Sequence, residues 1–395
     1  MTIDEAKRAP AAGITRHVLA DLAAVDAIAD AWKALESRCI SELCYFQTFG
    51  WCRQWLATFC DDAGDLAPAV QAFRHDGRLV AILPMVTNSS RGITRLETLG
   101  LPHTQYSTIL IDPDLDAATR AGVEAAVRGV LVDNDAVDVV FVAGVPEGSA
   151  LSRLLGETPP LALSVNEAAL LDLAPYASAE AYSAGLSKTQ RRNRTRRRKE
   201  LARHGELRFS VVWPGDPDFA RLALDCARIK RRWLKETARV SSGFAYEDFD
   251  TFLAALDGDA GEKRGAMLFA LHAGDRLVAA EIGFLLNRHY YAYIGAFDWD
   301  FRDASPGKTQ MDMTVAWLID NGADAYDLLA NPADYKESWS NRTFRLDTYA
   351  IPMTWKGRLY ADLWVPRLRP ALKSVFMTLP HGLRRLAARG QGLAA

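Results

Sequence analysis

One pattern occurs twice in the chain, 198 residues apart. The segment AVQAFRHDGRLVAILPMV (69–86) aligns without a gap with the segment MLFALHAGDRLVAAEIGF (267–284). In each, two apolar runs flank a Gly beside an Asp, a combination that predicts a β-hairpin. A further strand, a helix (117–132 and 309–321) and a short apolar strand follow each hairpin in the same order. We therefore predict a tandem duplication of one α/β unit.

The duplication predicts an α/β (α+β) protein with two domains, each a mixed, mostly antiparallel sheet flanked by helices. A chain of 395 residues, 49% of them hydrophobic, has enough apolar material for two cores. We predict a disordered tail at 1–15, an N-terminal domain at 16–165, a C-terminal domain at 166–357 and an amphipathic basic tail at 358–395.

Several classes of protein do not fit this composition. The five cysteines are odd in number and lack C-x-x-C spacing, which argues against a disulfide framework and a zinc site. The histidines are scattered, and there is no G-x-S-x-G or Walker A motif, so we predict no metal and no permanently bound cofactor. We see no signal peptide and no spanning helix, and we expect a cytoplasmic protein.

A concentrated basic segment, LSKTQRRNRTRRRKEL, lies at residues 186–201. Eight of the twelve residues 188–199 are Lys or Arg; because the whole chain has a net charge of −2, the residues outside this window sum to −10. This balance argues against a general DNA-binding protein. A helix here would carry basic residues on every face, so we interpret it as a platform for phosphates, with a solvated charged helix as the alternative. We assign Arg191, Arg192 and Arg196 as candidates for binding the acceptor or an anionic surface.

The stretch DASPGKTQMDMTVAWLIDNG predicts a helix that begins at an SPG loop. Ser305 is a favourable N-cap, Pro306 a favourable first residue, and Asn321 with Gly322 end the helix. Because Pro306 lacks an N–H, we expect the free amides to be those of Gly307, Lys308 and Thr309. Amides at the positive end of a helix dipole, next to a lysine, suit a pyrophosphate; an ordinary capped helix is the alternative.

Three carboxylates are candidates for a general base. Glu281 is a lone acid in the apolar strand LVAAEIGFLL, with small residues next to it on the same face, and burial would raise its pKa. The alternative is a Glu that forms a salt bridge with an Arg at a sheet edge. Asp298 is the second candidate and Asp327 the third. On the next strand we expect Tyr291, Tyr293 and Gly295 to share a face, with Tyr293 as a candidate catalytic proton donor.

The order of elements, together with several short motifs, resembles the GNAT superfamily, and in particular its CelD-like branch, labelled cellulose-biosynthesis acetyltransferases. The motifs are an FQ…W…W opening, the LS-plus-Arg helix, the SPG loop and a YDL…YK..W close, and they span roughly residues 40–355. In this chain the opening is Phe46, Gln47, Trp51 and Trp55, and the close is Tyr326, Asp327, Leu328, Tyr335, Lys336 and Trp339.

The resemblance implies acyl-CoA as co-substrate, with its pyrophosphate at Ser305, Pro306, Gly307, Lys308 and Thr309. It also implies that Lys336 and Tyr335 lie on the ligand side, Lys336 as a catalytic candidate and Tyr335 with the acceptor. The matching loop of the first half, DPDLDAATRAG, has acids where phosphate would lie, so we expect no CoA there.

The segment from Arg358 onwards places Trp364, Leu368, Leu372, Val375, Phe376 and Leu379 at helical spacing among basic residues. This pattern is typical of an interfacial anchor, which would put the protein on the inner face of the cytoplasmic membrane. A helix docked on the protein is the alternative.

Three functions fit these patterns. The first is an acyl-CoA-dependent N-acyltransferase whose acceptor is an amine: a lipid amine, as for the bacterial ceramide synthases that resemble this branch, or a sugar amine. The second is a Fem-like transferase, a class with a tandem GNAT fold that takes its acyl group from aminoacyl-tRNA, with the basic helix binding RNA. The third is a scaffold without catalysis.

Overall fold

The computed structural model describes residues 13–39, 43–60, 64–161, 166–330, 338–368 and 371. These residues form two compact units. The first contains the described residues of Met1–Asn166 and of Arg345–Met377, and the second those of Glu167–Phe344. The chain thus leaves the first unit at Asn166 and returns to it at Arg345.

The helices and strands of the first unit form two sheets with helices beside them. The strands are β1 (Ile14–Leu19), β2 (Leu66–Pro68), β3 (Val70–His75), β4 (Arg78–Leu83), β5 (Met85–Ser90), β6 (Ile93–Thr98), β7 (Leu110–Ile111), β8 (Val139–Pro146) and, later in the chain, β16 (Arg342–Pro352). The helices are α1 (Leu22–Asp26), α2 (Ala29–Glu36), α3 (Phe49–Phe59), α4 (Ala117–Val132), α5 (Ala150–Leu155) and, at the return, α11 (Trp355–Leu359), followed by a π-helical segment, Tyr360–Leu368.

One sheet of the first unit has the order β1-β3-β4-β7, and the other runs β16-β8-β6-β5-β2. All their pairings are antiparallel except β6 with β8. Val123 and Val127 of helix α4 belong to a mostly aliphatic core that also contains Tyr349 of β16. The predicted disordered tail is too long, because Ile14 and Thr15 belong to β1 and pair with β3; residues 1–12 lie outside the described part.

The second unit holds one sheet between two layers of helices. Its strands are β9 (Asn166–Asp172), β10 (Leu207–Val212), β11 (Gly258–Asp259), β12 (Arg264–Ala273), β13 (Arg276–Leu286), β14 (His289–Phe297) and β15 (Ala325–Asp327). Its helices are α6 (Ala179–Gly185), α7 (Lys188–Ala202), α8 (Phe219–Glu236), α9 (Phe249–Ala254) and α10 (Pro306–Asp320). The strand order is β10-β12-β13-β14-β15-β9, and only the β14–β15 pairing among these described pairs is parallel.

Both predicted hairpins are present, as β3–β4 and β12–β13. In the first turn Asp76 and Gly77 have φ of 50° and 77°, the left-handed values that a two-residue type I′ turn requires. The predicted mixed α/β fold with mostly antiparallel sheets is confirmed. The structure groups residues 345–357, predicted within the second domain, with the first unit, because β16 pairs with β8 there and Tyr349 is buried in that core.

No helix in the described residues is both long enough and apolar enough to cross a membrane.

Candidate functional site

The helix predicted at the SPG loop is α10, which begins at Pro306 and runs to Asp320. Met311, Val315, Leu318 and Ile319 recur along α10 at helical spacing, and all four are buried. Ser305 stands at the N-cap position but differs from the expected cap: its backbone is left-handed, with φ and ψ of 53°, and its side chain makes no capping hydrogen bond.

The first turn of α10 offers two amides rather than three. The N–H of Thr309 donates to the carbonyl of Ser305 at 3.3 Å, so the expectation that it is free is wrong. Within the described residues, the amides of Gly307 and Lys308 have no acceptor. Gly307 has no side chain of its own over this amide. A Cβ there would lie 3.4 Å from Cδ1 of Phe297. The Lys308 side chain is exposed. The turn therefore presents two N–H donors and a cation to a solvent-accessible anion.

Glu281 lies in the interior of the sheet, on β13 between β12 and β14, and is 4% exposed. Tyr290 donates its hydroxyl to Oε1 at 3.1 Å, and Tyr326 donates to Oε2 at 2.9 Å. Burial raises the pKa of Glu281 to about 7, while hydrogen bonds from Tyr326, Tyr290 and Gln310 hold it down. Of the two interpretations given above, the salt bridge at a sheet edge is thus wrong, and the buried acid with a raised pKa is what the structure contains.

A β-bulge decides which tyrosine faces Glu281. The register between β13 and β14 shifts after Ile282, which pairs with Ile294, to Gly283, which pairs with Ala292. Tyr293 is the extra residue of the bulge, so the expected shared face of Tyr291, Tyr293 and Gly295 is wrong. The ring of Tyr293 instead packs on Phe249 and Phe284, and burial raises its pKa.

Gly283, the small residue next to Glu281, leaves room for the side chain of Tyr290 and not for a ligand. A Cβ on Gly283 would lie 2.1 Å from the hydroxyl oxygen of Tyr290. The glycine thus lets this hydroxyl reach the Glu281 carboxylate. The open side of the carboxylate lies at Gly295, its partner on β14: a Cβ there would be 3.8 Å from Oε2, and Gly295 is exposed.

Strands β14 and β15 are paired only over a short length. Their ladder joins His289–Tyr291 to Ala325–Asp327, and β14 continues to Phe297 beyond it. Gly295 lies on this continuation, and its carbonyl accepts a hydrogen bond from Lys230 Nζ at 2.9 Å. Within the described residues, the stretch of β14 next to the buried carboxylate is therefore not paired with β15.

Asp298, the second candidate base, is held by two arginines. Arg276 Nη2 lies 2.5 Å from Oδ2 and Arg232 Nη1 lies 3.3 Å from Oδ1, and the N–H of Asp300 also donates to Oδ1. A cavity of about 440 Å³ borders these three side chains together with others of α8, and Glu281 does not line it. Asp298 thus closes an ion-pair network and caps the turn that follows, which favours Glu281 as the base.

Asp327, the third candidate, is the last residue of β15 and is fully buried. His289 Nε2 lies 2.9 Å from its Oδ2, and the N–H of Leu329 donates to its Oδ1. These contacts fix the loop after β15 to the start of β14.

The basic segment is helix α7, with Ser187 and Gln190 forming a capping box at its start. Arg191 is exposed, and its Nη1 donates to the carbonyls of Ala184 and Leu186, at the end of α6. Arg192 and Arg196 are exposed and form no ion pair within the described residues. Arg194 lies between the rings of Tyr182 and Trp339, with Nε 2.8 Å from Asp312 Oδ1 on α10.

Two of the predicted site residues, Tyr335 and Lys336, lie outside the described residues. Among the residues that sequence reasoning missed, Tyr290, Gln310 and Lys230 stand out because each contacts Glu281 or the strand beside it. Tyr326 was identified as part of a motif without a role. No group of three or more His, Cys, Asp or Glu that could hold a metal ion occurs in the part of the chain that the structure describes.

Comparison with known families gives the same picture for the second unit. Residues 188–337 match the family described as "Acetyltransferase (GNAT) domain". The chain carries a GNAT acetyltransferase domain. The match extends over less than half of the chain, and it includes α7, the buried Glu281 and α10. GNAT acetyltransferases use acyl-CoA as co-substrate and an amine as acceptor, so the domain is that of an acyltransferase.

Several solved structures have a fold similar to that of most of the chain. FemX aligns with a TM-score of 0.54 at 10% identity, over 85% of this chain and 98% of that chain. The C-terminal domain (DUF2156) of a protein assigned as a lysylphosphatidylglycerol synthetase from Agrobacterium fabrum gives 0.53 at 12% identity, over 86% and 96%. A tandem GNAT protein from the clavulanic acid biosynthesis pathway gives 0.45 at 12%, over 85% and 98%. No curated protein sequence matches the chain. At these identities the likeness concerns the fold.

Proposed function

We propose that the chain is an acyl-CoA-dependent N-acyltransferase in which Glu281 of the GNAT domain is the general base. The observation that carries this is the buried Glu281 carboxyl, with a pKa of about 7, next to a stretch of β14 that, among the described residues, is not paired with β15. A base with a pKa near the working pH both exists in the ionised form and accepts a proton readily.

The proposed reaction has one proton acceptor and one proton donor. The amine nitrogen bonds to the thioester carbonyl carbon, the C–S bond breaks, and the amine gives its proton to Glu281 past Gly295. The departing thiolate takes a proton from water. The structure gives less support to Tyr293 as that donor, because its ring packs on Phe249 and Phe284. The amides of Gly307 and Lys308 would bind the CoA pyrophosphate.

A lipid amine at the cytoplasmic face of a membrane is the acceptor that we propose, of the sphingoid type that bacterial ceramide synthases acylate. Its support comes from the described part of the tail. Trp355, Leu359 and Leu363 stand four residues apart with 69%, 54% and 39% of their surface exposed, beside the exposed cations Lys356 and Arg358. Apolar side chains flanked by cations are typical of peripheral contact with an anionic membrane. Of the anchor residues predicted from sequence, Trp364 is half-buried and Leu368 is exposed; the other four lie outside the described residues.

The test is release of free CoA thiol from purified protein with acetyl-CoA or palmitoyl-CoA, each with and without a sphingoid amine or glucosamine. Amine-dependent release that is lost in Glu281→Gln supports the proposal, and the donor and acceptor that work define the substrate class. No release from either donor with any amine contradicts it.

An aminoacyl-tRNA-dependent transfer is the second candidate. It is favoured by the exposed cations Arg192 and Arg196 on α7, and by the fold shared with a protein named for a lysyl transfer to phosphatidylglycerol. Retention of the protein on charged tRNA, weakening steeply with salt, together with no binding of CoA, would favour it.

A further inference from the structure

Helices α7 and α10 pack side by side in opposite directions. Near its C-terminal end, Leu201 of α7 is fully buried against Phe301 and Ala304, just before α10 begins. Nearer its N-terminal end, Arg194 contacts Asp312, two turns into α10. Arg194 and Leu201 are seven positions apart, which is about 10 Å along a helix. Ala304 and Asp312 are eight positions apart, which is about 12 Å. The two contacts are therefore separated by about the same distance along each helix.

This packing sets Arg197 and Arg198 beside the first turn of α10. They follow Arg194 by three and four residues, so they share its face and lie about one turn further along α7. Lys308 and Thr309 lie one turn before Asp312, towards the start of α10, and are therefore level with Arg197 and Arg198. Both arginines are close enough to Asp312 to lower its pKa, which burial raises to about 6.

Arg197 and Arg198 interact with Asp312 only at a distance, through their charge. Neither guanidinium has an ion pair or a hydrogen bond in the described part of the chain, whereas Arg194 already contacts Asp312, the nearest carboxylate on this side of α10. Lys308 is a third cation that forms no ion pair within the described residues. The first turn of α10 is therefore surrounded by positive charge.

A buried hydroxyl at the same place points to a ligand. Thr309 is fully buried, its Oγ1 has no hydrogen-bond partner, and it precedes Asp312 by three residues, which places it on the side that α7 covers. Buried polar atoms are almost always paired, so an unpaired hydroxyl between two helices is unusual. A phosphate oxygen at this seam could accept from it.

We propose that α7 forms the second wall of the donor site: Arg197 and Arg198, with Lys308, Thr309 Oγ1 and the amides of Gly307 and Lys308, bind the phosphates of the acyl donor. The inference rests on the proposed use of acyl-CoA. It also separates two roles on one helix. Arg197 and Arg198 face α10, while Arg192, Arg196 and Lys199 lie on the opposite side.

The experiment is equilibrium binding, by calorimetry, of CoA, dephospho-CoA and pantetheine to the full chain. The test variant is Arg197→Gln/Arg198→Gln. The matched control is Lys188→Gln/Lys199→Gln, which removes the same charge from the same helix at exposed positions away from α10. We expect the test variant to bind CoA at least about tenfold more weakly, and the control to bind within about twofold of wild type, because charged hydrogen bonds are lost only in the first.

Pantetheine, which has no phosphate, should bind the wild type and the test variant equally. A smaller loss for dephospho-CoA than for CoA would place the 3′-phosphate at the arginines, and an equal loss would place the pyrophosphate there; both support the assignment. Equal CoA affinity in the two variants would overturn it while leaving the proposed function intact. If the wild type does not bind CoA but binds tRNA, the proposed function itself fails. Circular dichroism checks that α7 remains folded in each variant.

Discussion

Ionising Glu281, whose pKa lies near 7, costs more free energy in the folded protein than in the unfolded chain. Glu281 titrates at an ordinary 4.5 when unfolded and at about 7 in the folded chain, so the folded state binds its proton more tightly. The free energy of unfolding therefore falls as pH rises from about 4.5 to 7, by roughly 3 kcal/mol. We expect Glu281→Gln to unfold at higher urea than wild type at pH 8, with a smaller gain at pH 5, while acyl transfer falls at least about 100-fold.

Asp298 serves as the contrasting variant for that measurement. Asp298→Asn leaves only Asp300 to pair with both Arg232 and Arg276, so this change should lower the urea midpoint at pH 8. If Glu281→Gln were also less stable than wild type at pH 8, the hydrogen bonds of the carboxylate would outweigh the cost of its burial, and the assignment of Glu281 as a strained base would be wrong.

The two tyrosines on Glu281 tune its pKa in a predictable direction. The hydroxyl of Tyr326, at 2.9 Å, favours the ionised carboxylate, so Tyr326→Phe should raise the pKa of Glu281 further. A base acts only when ionised, so the acid limb of the pH–rate profile should move to higher pH, with the plateau at high pH less affected. Tyr176→Phe, in the same unit, is the control. An unchanged acid limb would show that another group carries the proton.

Sequence reasoning identified Glu281 but not its partners. A lone acid in an apolar strand is visible without any structure, because burial of an unpaired charge is rare. The tyrosines were misassigned because strict alternation along β14 puts Tyr291 and Tyr293 on the face of Gly295, whereas a one-residue bulge puts Tyr290 there. A bulge leaves no clear mark in a run such as HYYAYIGAF, since every residue in it suits a strand.

At the scale of elements, α10 can be tested for anion binding without disturbing its fold. Gly307→Glu replaces a poor helix former by a good one and puts a negative charge on the first turn, and each change should stabilise the helix by up to about 1 kcal/mol. The same charge repels phosphate, so CoA binding should be lost while thermal stability is kept or gained. Gly307→Gln is the control: it adds similar bulk without charge and should bind more tightly than the Glu variant.

If Gly307→Glu bound CoA as tightly as Gly307→Gln does, the phosphates would not lie at this helix end. A fall in stability would instead point to steric conflict, since a Cβ here comes within 3.4 Å of Phe297.

The helices themselves were largely predictable, and their partners were not. The boundaries of α7 and α10 follow from local signals, Ser187 and Gln190 in one and Pro306 with Gly322 in the other. The inward face of α7 could not be found in the same way, because basic residues occupy every face of it. The contact of Arg194 with Asp312 joins residues 118 positions apart, and no short-range pattern encodes it.

At the scale of the whole molecule, the repeated hairpin was visible in sequence and the path of the chain was not. The two hairpins repeat because each is a local structure with its own turn signal. The return of the chain to the first unit depends on the pairing of β16 with β8, about 200 residues earlier in the chain, and strand pairing at such separation leaves only an apolar run. The boundary at which the chain passes from the second unit back to the first therefore did not appear as a change in composition.

Asp138 holds this return in place, and its removal should affect one unit only. Its carboxylate accepts from Thr354 Oγ1 at 2.6 Å and from the N–H of Thr94 at 2.9 Å, while its carbonyl accepts from the N–H of Met353. Asp138→Ala removes the first two bonds, and we expect it to lower the free energy of unfolding of the first unit by about 2 kcal/mol.

The measurement is urea unfolding followed by hydrogen–deuterium exchange in peptides of the first unit, such as those that contain the buried Trp32, Trp51 and Trp55, with CoA affinity measured in parallel without urea. The affinity should stay at the wild-type value, because the proposed donor residues belong to the second unit. Glu157→Ala, an exposed change in the first unit, should alter neither quantity. A loss of CoA affinity in Asp138→Ala, with the urea midpoint unchanged, would mean that the return segment serves the donor site rather than the core of the first unit.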